Sequence, residues 1–522
     1  MGAGPGTGCA PQGNCPLSLK ACKAELGQAR PWESNTTDGM KSTSAAAQSA
    51  RVLGVADVTL FMVTAGCSLQ WTATAAATGP SSLAVWVLGA LAMFLPLSVC
   101  VIFLSSRYAD EGGLFSWSSR AFGSFAGFMT GWTYWVGTLT YLPAVMYFTA
   151  GSAVLFSARS STAGVTPAYF TLFALATLAI AVALNVYGLR VAKWLNNAGA
   201  IARWLGTVLL LILGFASWWR FGPAVPMNRH TLTPTFHMAD VIFLSTLAFC
   251  FTGPEAASFM GGEIRNPQRT VPRALLLAAP MIVAVYVIGT ASILFSIPPE
   301  RASGVYGVME AIRGAAAHLG LLWLIPLGAA CVVLDRAGSV CLWIGALARV
   351  PASAGIEPYL PEKFTRLHPR HASPVTAIWT QASIVALLVV VGQAGTSVRG
   401  AYNVLIEMMV VGAMLPFLLL FGAAIRLSRG APAVGEVRIP GGRGTVVAMG
   451  LLGLATTLAS ITLAFLPPPD EPQPTMAVLK VAGVTAALLL AGAAVYAAGR
   501  VRLRRSATAR LALLAGGPGR GG

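Results

Sequence analysis

Residues 251–255 place a helix-breaking sequence and an ionisable side chain inside a long apolar segment. They read Phe-Thr-Gly-Pro-Glu, within an apolar stretch that runs from 239 to 260. Proline lacks an amide hydrogen and clashes with the preceding turn, while glycine resists helix formation, so backbone groups here lose their helical partners. In a bilayer such groups must contact protein, water or a ligand. Because broken helices form the binding sites of many secondary transporters, the pattern indicates a solute carrier.

Acidic side chains within apolar segments are the next candidates. Glu255 directly follows the break, and a carboxylate at membrane depth is costly unless it is protonated, paired or hydrated. We interpret it as a proton carrier or gate, or alternatively as a negative charge that stabilises the start of the second half-helix. Glu407, in a later apolar segment, is a second coupling candidate. Asp335 and Arg336 are expected to pair with other partners, because adjacent positions on a helix do not face each other.

The whole composition is that of an integral membrane protein. Of 522 residues, 56% are hydrophobic and 10% are charged, against about a quarter charged in soluble domains. Windows of about 20 apolar residues, the length that crosses a bilayer, recur about twelve times. The predicted spans are 54–77, 83–104, 125–156, 165–187, 194–219, 239–260, 271–297, 319–350, 375–392, 402–424, 446–465 and 476–498.

The net charge of +17 follows the predicted topology. With the N-terminus in the cytoplasm, about 26 of the 35 Lys and Arg residues fall on the cytoplasmic side. We therefore expect a multi-pass protein of the cell membrane with both termini cytoplasmic, in contact with anionic lipid heads and not with nucleic acid. Residues 1–51 lack an apolar period and are predicted to be a disordered tail without a signal peptide. The eight cysteines match no zinc pattern and predict neither a metal site nor a disulfide framework.

A second candidate break lies in the first span and gives the architecture. It consists of small and polar residues, which are Thr64, Ala65, Gly66, Cys67 and Ser68. This break lies five spans before the one at 251–255, which suits two five-helix units of inverted topology with the site at their interface. Small residues also pack helices closely, and this alternative stays open for the first break. We predict an all-α fold with a cytoplasmic tail (1–51), an inverted-repeat core (52–428), two additional helices (429–500) and a basic cytoplasmic tail (501–522).

Several segments together resemble a known family. Residues 107–117 read Arg-Tyr-Ala-Asp-Glu-Gly-Gly-Leu-Phe-Ser-Trp, and further matching segments lie at 121–123, 131–135, 262–269, 271–274, 360–364 and 368–370. They resemble the amino acid permeases of the amino acid, polyamine and organocation transporter superfamily. Residues 68–71 and 79–82 are most similar to glutamate/GABA antiporter-like permeases. The resemblance implies a carrier of an amino acid or related amine.

A zwitterionic substrate suits the two breaks. Amides near Ala65 to Ser68 could bind its carboxylate, and carbonyls near Phe251 and Thr252, with Gly253 beside them, could bind its ammonium group. Phe251 is interpreted either as a gate over the ligand or as a residue that packs against neighbouring helices.

Arg203 in the fifth span occupies a place where similar proton-linked permeases carry a lysine that substitutes for a sodium ion. A guanidinium there could tie the first and eighth helices through their carbonyls, although it stays protonated and is a poor proton shuttle. The alternative is that Arg203 extends to a helix end.

We therefore predict a transporter and not an enzyme, without a cofactor and with proton coupling as a candidate. It would be a sodium-independent exchanger or proton-coupled symporter that works by alternating access. A membrane amino-acid sensor with little or no transport is the alternative. The sequence leaves substrate identity and oligomeric state open.

Overall fold

The computed structural model describes residues 53–108, 113–156, 165–234, 238–260, 264–302, 305–352, 356–371, 373–430, 436–467 and 473–515. Over these ranges the regular structure is helical, apart from one isolated bridge between Leu53 and Ile264. The predicted all-α class is confirmed. The tail predicted at 1–51, and residues 109–112 of the segment at 107–117, lie outside the described residues.

Sixteen α-helices of eight or more residues make up most of the described part of the chain. In order they are α1 (Val55–Gly66), α2 (Leu69–Ala76), α3 (Ser81–Arg107, with a π-helical turn at Ala90–Phe94), α4 (Gly113–Phe122), α5 (Ser124–Leu139), α6 (Tyr141–Val154), α7 (Pro167–Val186), α8 (Leu189–Phe221), α9 (Met238–Cys250), α10 (Pro267–Ser296), α11 (Gly307–Leu319), α12 (Leu324–Leu347), α13 (Val375–Gln393), α14 (Val398–Leu427), α15 (Gly442–Leu463) and α16 (Pro474–Ala515). Shorter helical turns lie at Arg229–Leu232, Pro254–Met260, Pro299–Arg301, Val350–Ala352, Glu357–Tyr359 and Glu362–Phe364.

Nine of these helices are long and apolar enough to cross a membrane, counted over the described residues. The other three predicted spans consist of shorter pieces, namely α1 with α2, α5 with α6, and α9 with the 3-10 helix at Pro254–Met260. The sequence predicts one continuous span here and not the interruption between α5 and α6. Its cause is Pro143, which has no amide hydrogen to donate to the Leu139 carbonyl.

Two further predictions of the spans differ from the structure. The eighth predicted span begins at Leu319, but that residue ends the separate helix α11, and the long helix α12 begins at Leu324. Gly320, between them, adopts a left-handed conformation (φ 73°) that terminates α11. The last helix, α16, continues to Ala515, beyond the predicted end of its span at 498.

The outer surface of the bundle is apolar, as contact with lipid requires. Leu172 and Leu490 are 66% and 70% exposed, and such side chains recur on the outward faces of α7, α8 and α16. Two tryptophans, Trp194 and Trp219, lie exposed near opposite ends of α8, where aromatic rings meet the membrane interfaces. The chain is thus a multi-pass membrane protein.

Close backbone contact fixes α8 against α12. Gly199 and Gly338 face each other so tightly that a Cβ on Gly199 would lie 3.0 Å from the Gly338 Cα. Small residues let membrane helices approach in this way. The contact places the next turn of α8, which carries Arg203, beside Asp335 and Ser339 of α12.

Candidate functional site

Both helix breaks are present, and each has a distinct cause. Helix α1 ends at Gly66, and Cys67 (φ −116°, ψ 135°) and Ser68 (φ −148°, ψ 129°) are extended before α2 begins. Helix α9 ends at Cys250, and the chain resumes at Pro254 as a 3-10 helix and not as the expected α-helix. Pro254 explains the second break, because proline is well tolerated only in the first turn of a helix.

The two breaks touch through their backbones at Gly253. This residue has φ 118°, a conformation that side chains other than glycine rarely adopt. A Cβ there would lie 2.7 Å from the Ala65 carbonyl oxygen. The second break therefore packs directly on the end of α1, and only glycine permits the approach.

Tyr286 of α10 joins the two broken helices through a single hydroxyl group. It donates to the Gly66 carbonyl at 2.7 Å and to the Cys250 carbonyl at 3.0 Å, which are the terminal carbonyls of α1 and α9. Its ring stacks on Trp86 at a centroid distance of 4.3 Å. Sequence reasoning missed both aromatic residues. The sequence offers one signal for Tyr286, which is a tyrosine within an apolar span. A buried tyrosine hydroxyl usually has a hydrogen-bond partner, so such a residue marks a polar contact inside the bundle.

Phe251 is fully buried and packs within this aromatic cluster. Its ring stacks on Phe94 at 5.3 Å and meets the edges of Trp86 and Tyr286 at 5.6 and 5.9 Å. In this conformation Phe251 packs against the aromatic side chains of neighbouring helices. A role as a gate stays a prediction.

The predicted carboxylate-binding residues divide between two helix ends. Thr64, Ala65 and Gly66 lie in the last turn of α1, which presents carbonyl groups. The amide-bearing end starts after the extended residues Cys67 and Ser68, at the first turn of α2. The amides that could bind a carboxylate are therefore those of the first turn of α2, from Leu69 onward.

Arg203 is placed against the end of α1. Its guanidinium donates to the Thr64 carbonyl at 2.5 Å, to the Asp335 carboxylate at 2.8 Å and to the Ser339 hydroxyl at 2.8 Å. It thus connects α8 with α1 and α12. On the α12 side its partners are side chains and not the carbonyls that the sequence suggested.

The expectation for Asp335 and Arg336 is wrong in one respect, because these adjacent residues pair with each other. Arg336 donates from Nε and Nη2 to Asp335 Oδ2, at 2.9 and 2.5 Å. The long arginine side chain folds back to reach a carboxylate that its Cβ does not face. The Arg336 Nη1 then donates to the Ser68 hydroxyl at 2.9 Å, so this residue also reaches the first break.

The two acidic coupling candidates are both buried. Glu255, 2% exposed, accepts a 2.7 Å hydrogen bond from the Gly253 amide, and so stabilises the turn in which it lies. Glu407 is 6% exposed within α14. A further buried contact that sequence reasoning missed joins Gln70 to the Tyr402 hydroxyl of α14 at 2.8 Å.

Replacing Tyr286 by phenylalanine tests the bridge between the breaks. The change keeps the ring stack on Trp86 but removes the donor to two buried carbonyls, which costs about 1–3 kcal/mol. We expect a lower melting temperature in detergent and uptake reduced about tenfold, since a cost of about 1.4 kcal/mol corresponds to a factor of ten. Tyr169→Phe is the matched control, because its hydroxyl donates to one carbonyl, that of Ala150, outside the breaks. Equal behaviour of the two variants would contradict a role for the bridge.

Comparison with known proteins gives a consistent set of similarities. The family described as "Amino acid permease" matches residues 43–488. An uncharacterized transporter of Legionella pneumophila is 26% identical over 81% of this chain and 91% of its own length. A glutamate/gamma-aminobutyrate antiporter of Lactococcus lactis is 25% identical over 73% of this chain and 77% of its own. A branched-chain amino acid permease of Bacillus subtilis is 25% identical over 67% and 77%.

Proposed function

Because this chain belongs to the amino acid permease family, we propose that it carries an amino acid or related amine across the membrane by alternating access. The family and the similar proteins are transporters and not enzymes. The observation that carries the proposal is the contact between the two helix breaks at Gly253 and Ala65. Irregular backbone at membrane depth is tolerated where it lines a binding cavity, and paired breaks of this kind bind substrate at the interface of two moving units.

The substrate would bind through backbone groups at these breaks. Its carboxylate would bind the amide-bearing end of α2 near Ser68, where the partial charge of the helix is positive. Its ammonium group would bind carbonyls near Phe251 and Thr252, at the end of α9, where the partial charge is negative. Phe251, packed in the aromatic cluster, would act as the gate that moves when the site opens.

We further propose that transport is independent of sodium. The Arg203 guanidinium holds a fixed positive charge between α1 and α12, bonded to the Thr64 carbonyl and to the side chains of Asp335 and Ser339. A sodium ion that joined α1 and α12 at this place would need the same oxygen atoms as its ligands. Arginine stays protonated, so any proton coupling would pass through Glu255 or Glu407.

Uptake by purified protein in liposomes tests this proposal. The panel includes glutamate, gamma-aminobutyrate and branched-chain amino acids, which the names of similar proteins suggest. Vesicles are preloaded or empty, with or without a proton gradient, and with sodium or choline outside. Uptake only into preloaded vesicles would identify an exchanger, and gradient-driven uptake into empty vesicles a proton symporter. Folded protein that binds a substrate and moves none would overturn the carrier in favour of a sensor.

Glu255→Gln tests proton coupling in particular. The glutamine carbonyl can still accept from the Gly253 amide, so the turn is retained while the ionisable group is lost. A pH difference of one unit can support about tenfold accumulation, and we expect the variant to lose this accumulation but to keep exchange between preloaded vesicles. Glu407→Gln is the parallel variant. Accumulation retained by both variants would exclude these two carboxylates as the coupling groups.

A further inference from the structure

Two guanidinium groups flank the first helix break, at ends of opposite electrical character. Arg203 bonds to the Thr64 carbonyl at the C-terminal end of α1, where the helix dipole is negative. Arg336 bonds to the Ser68 hydroxyl at the N-terminal end of α2, where the dipole is positive. The charge of Arg203 is therefore opposite in sign to the helix end that it contacts, whereas the charge of Arg336 has the same sign as its helix end.

A single carboxylate is shared by the two guanidinium groups and does not neutralise both. Within the described residues, both guanidiniums have Asp335 as their carboxylate partner, which binds Arg203 through Oδ1 and Arg336 through Oδ2. Arginine stays protonated in proteins, so two positive charges share one negative charge. Arg336 is 1% exposed and Asp335 2%, so little solvent is present to screen the excess.

The location of the excess charge follows from these contacts. The negative end of α1 and Asp335 Oδ1 both face Arg203. Arg336 has Asp335 Oδ2 but also faces the positive end of α2, so the uncompensated charge lies on the Ser68 side of the break. An uncompensated charge at membrane depth is costly, and an anion placed there would lower that cost.

We propose that Arg336 is a specificity-determining residue of the transport site, and that its charge selects amino acids with a second, side-chain carboxylate over neutral ones and over cationic amines. The inference rests on the proposed transport function. In a zwitterion the carboxylate that binds at α2 is balanced by the substrate's own ammonium group, so the net charge of the occupied site is unchanged. A net anionic substrate neutralises the excess charge, and a net cationic substrate adds to it. Like charges placed together in a buried site are strongly unfavourable.

Competition between isosteric substrates provides the test. Glutamate and glutamine have nearly the same shape and differ by one charge, and lysine represents the cations. In liposomes containing the wild-type protein, glutamate is expected to compete at least about tenfold better than glutamine, and lysine worst. In Arg336→Gln the ratio between glutamate and glutamine falls towards one while glutamine is still carried. Arg336→Lys keeps the charge and restores the preference.

The outcomes separate this inference from the function on which it rests. Wild-type protein that transports glutamine or lysine as well as glutamate would overturn the specificity but leave the carrier intact. Protein that transports none of the panel would overturn the proposed function itself. If Arg336→Gln does not fold, as judged by size-exclusion chromatography, the wild-type ratio and the Arg336→Lys variant still decide the question. Equal loss of preference in Arg336→Lys and Arg336→Gln would contradict a role for the charge.

Discussion

Replacing Gly253 by alanine is expected to reduce transport strongly. The residue has φ 118°, and an added Cβ would lie 2.7 Å from the Ala65 carbonyl oxygen and 3.0 Å from its carbon. The backbone conformation alone costs about 1–3 kcal/mol for a residue with a side chain, and the close contact can be relieved only by moving two backbones apart. Because this contact joins the two breaks, we expect uptake in liposomes to fall by at least about tenfold.

Two glycines elsewhere provide matched controls. Gly222 also has a positive φ, of 79°, but no heavy atom lies within 4 Å of the position of its Cβ, so Gly222→Ala measures the conformational cost alone. Gly483 is open as well and has an ordinary helical conformation, so Gly483→Ala should behave as wild type. Transport retained by Gly253→Ala would mean that the breaks do not work as a contacting pair.

Replacing Asp335 by asparagine is expected to have the largest effect on stability. The carboxylate is the shared partner of Arg203 and Arg336. Removal of one member of a buried ion pair typically costs about 3–5 kcal/mol, because the remaining charge is left without compensation. Here two positive charges would remain, so we expect Asp335→Asn to unfold at a markedly lower temperature in detergent and to transport little.

A surface ion pair gives the contrast for this experiment. Glu362 pairs with Arg366 at 3.1 Å, but their side chains are 76% and 69% exposed. Exposed pairs contribute about 0–1 kcal/mol, so Glu362→Gln should leave the melting temperature nearly unchanged. If Asp335→Asn were as stable as Glu362→Gln, the cluster of Arg203, Asp335 and Arg336 would not be an ionic network.

The helix breaks could be predicted from the sequence because their causes are local. The glycine and proline at 253 and 254 interrupt a helix wherever they occur within an apolar segment. Most of the spans could also be predicted, because the thickness of a bilayer sets the length of the apolar segments that cross it. Pro143 carries a signal of the same kind, and the interruption before it could have been found in this way.

The partners of the polar side chains could not be predicted, because they depend on distances between helices far apart in sequence. Tyr286 meets Gly66 across 220 positions and Arg336 meets Ser68 across 268. The pairing of Arg336 with Asp335 failed for another reason: helical spacing describes where Cβ atoms point, whereas a flexible guanidinium can fold back along its own helix.

The Tyr286 hydroxyl has only one hydrogen to donate to the terminal carbonyls of the two broken helices. A tyrosine hydroxyl has a single proton to donate, yet it faces two carbonyl oxygens, at 2.7 and 3.0 Å. The two bonds therefore compete for the same proton, and neither carbonyl receives a full bond while both are engaged. An ammonium group brings three protons to such a place. A ligand could thus supply the missing donor at one carbonyl and leave the hydroxyl entirely to the other, without any protein bond being lost outright.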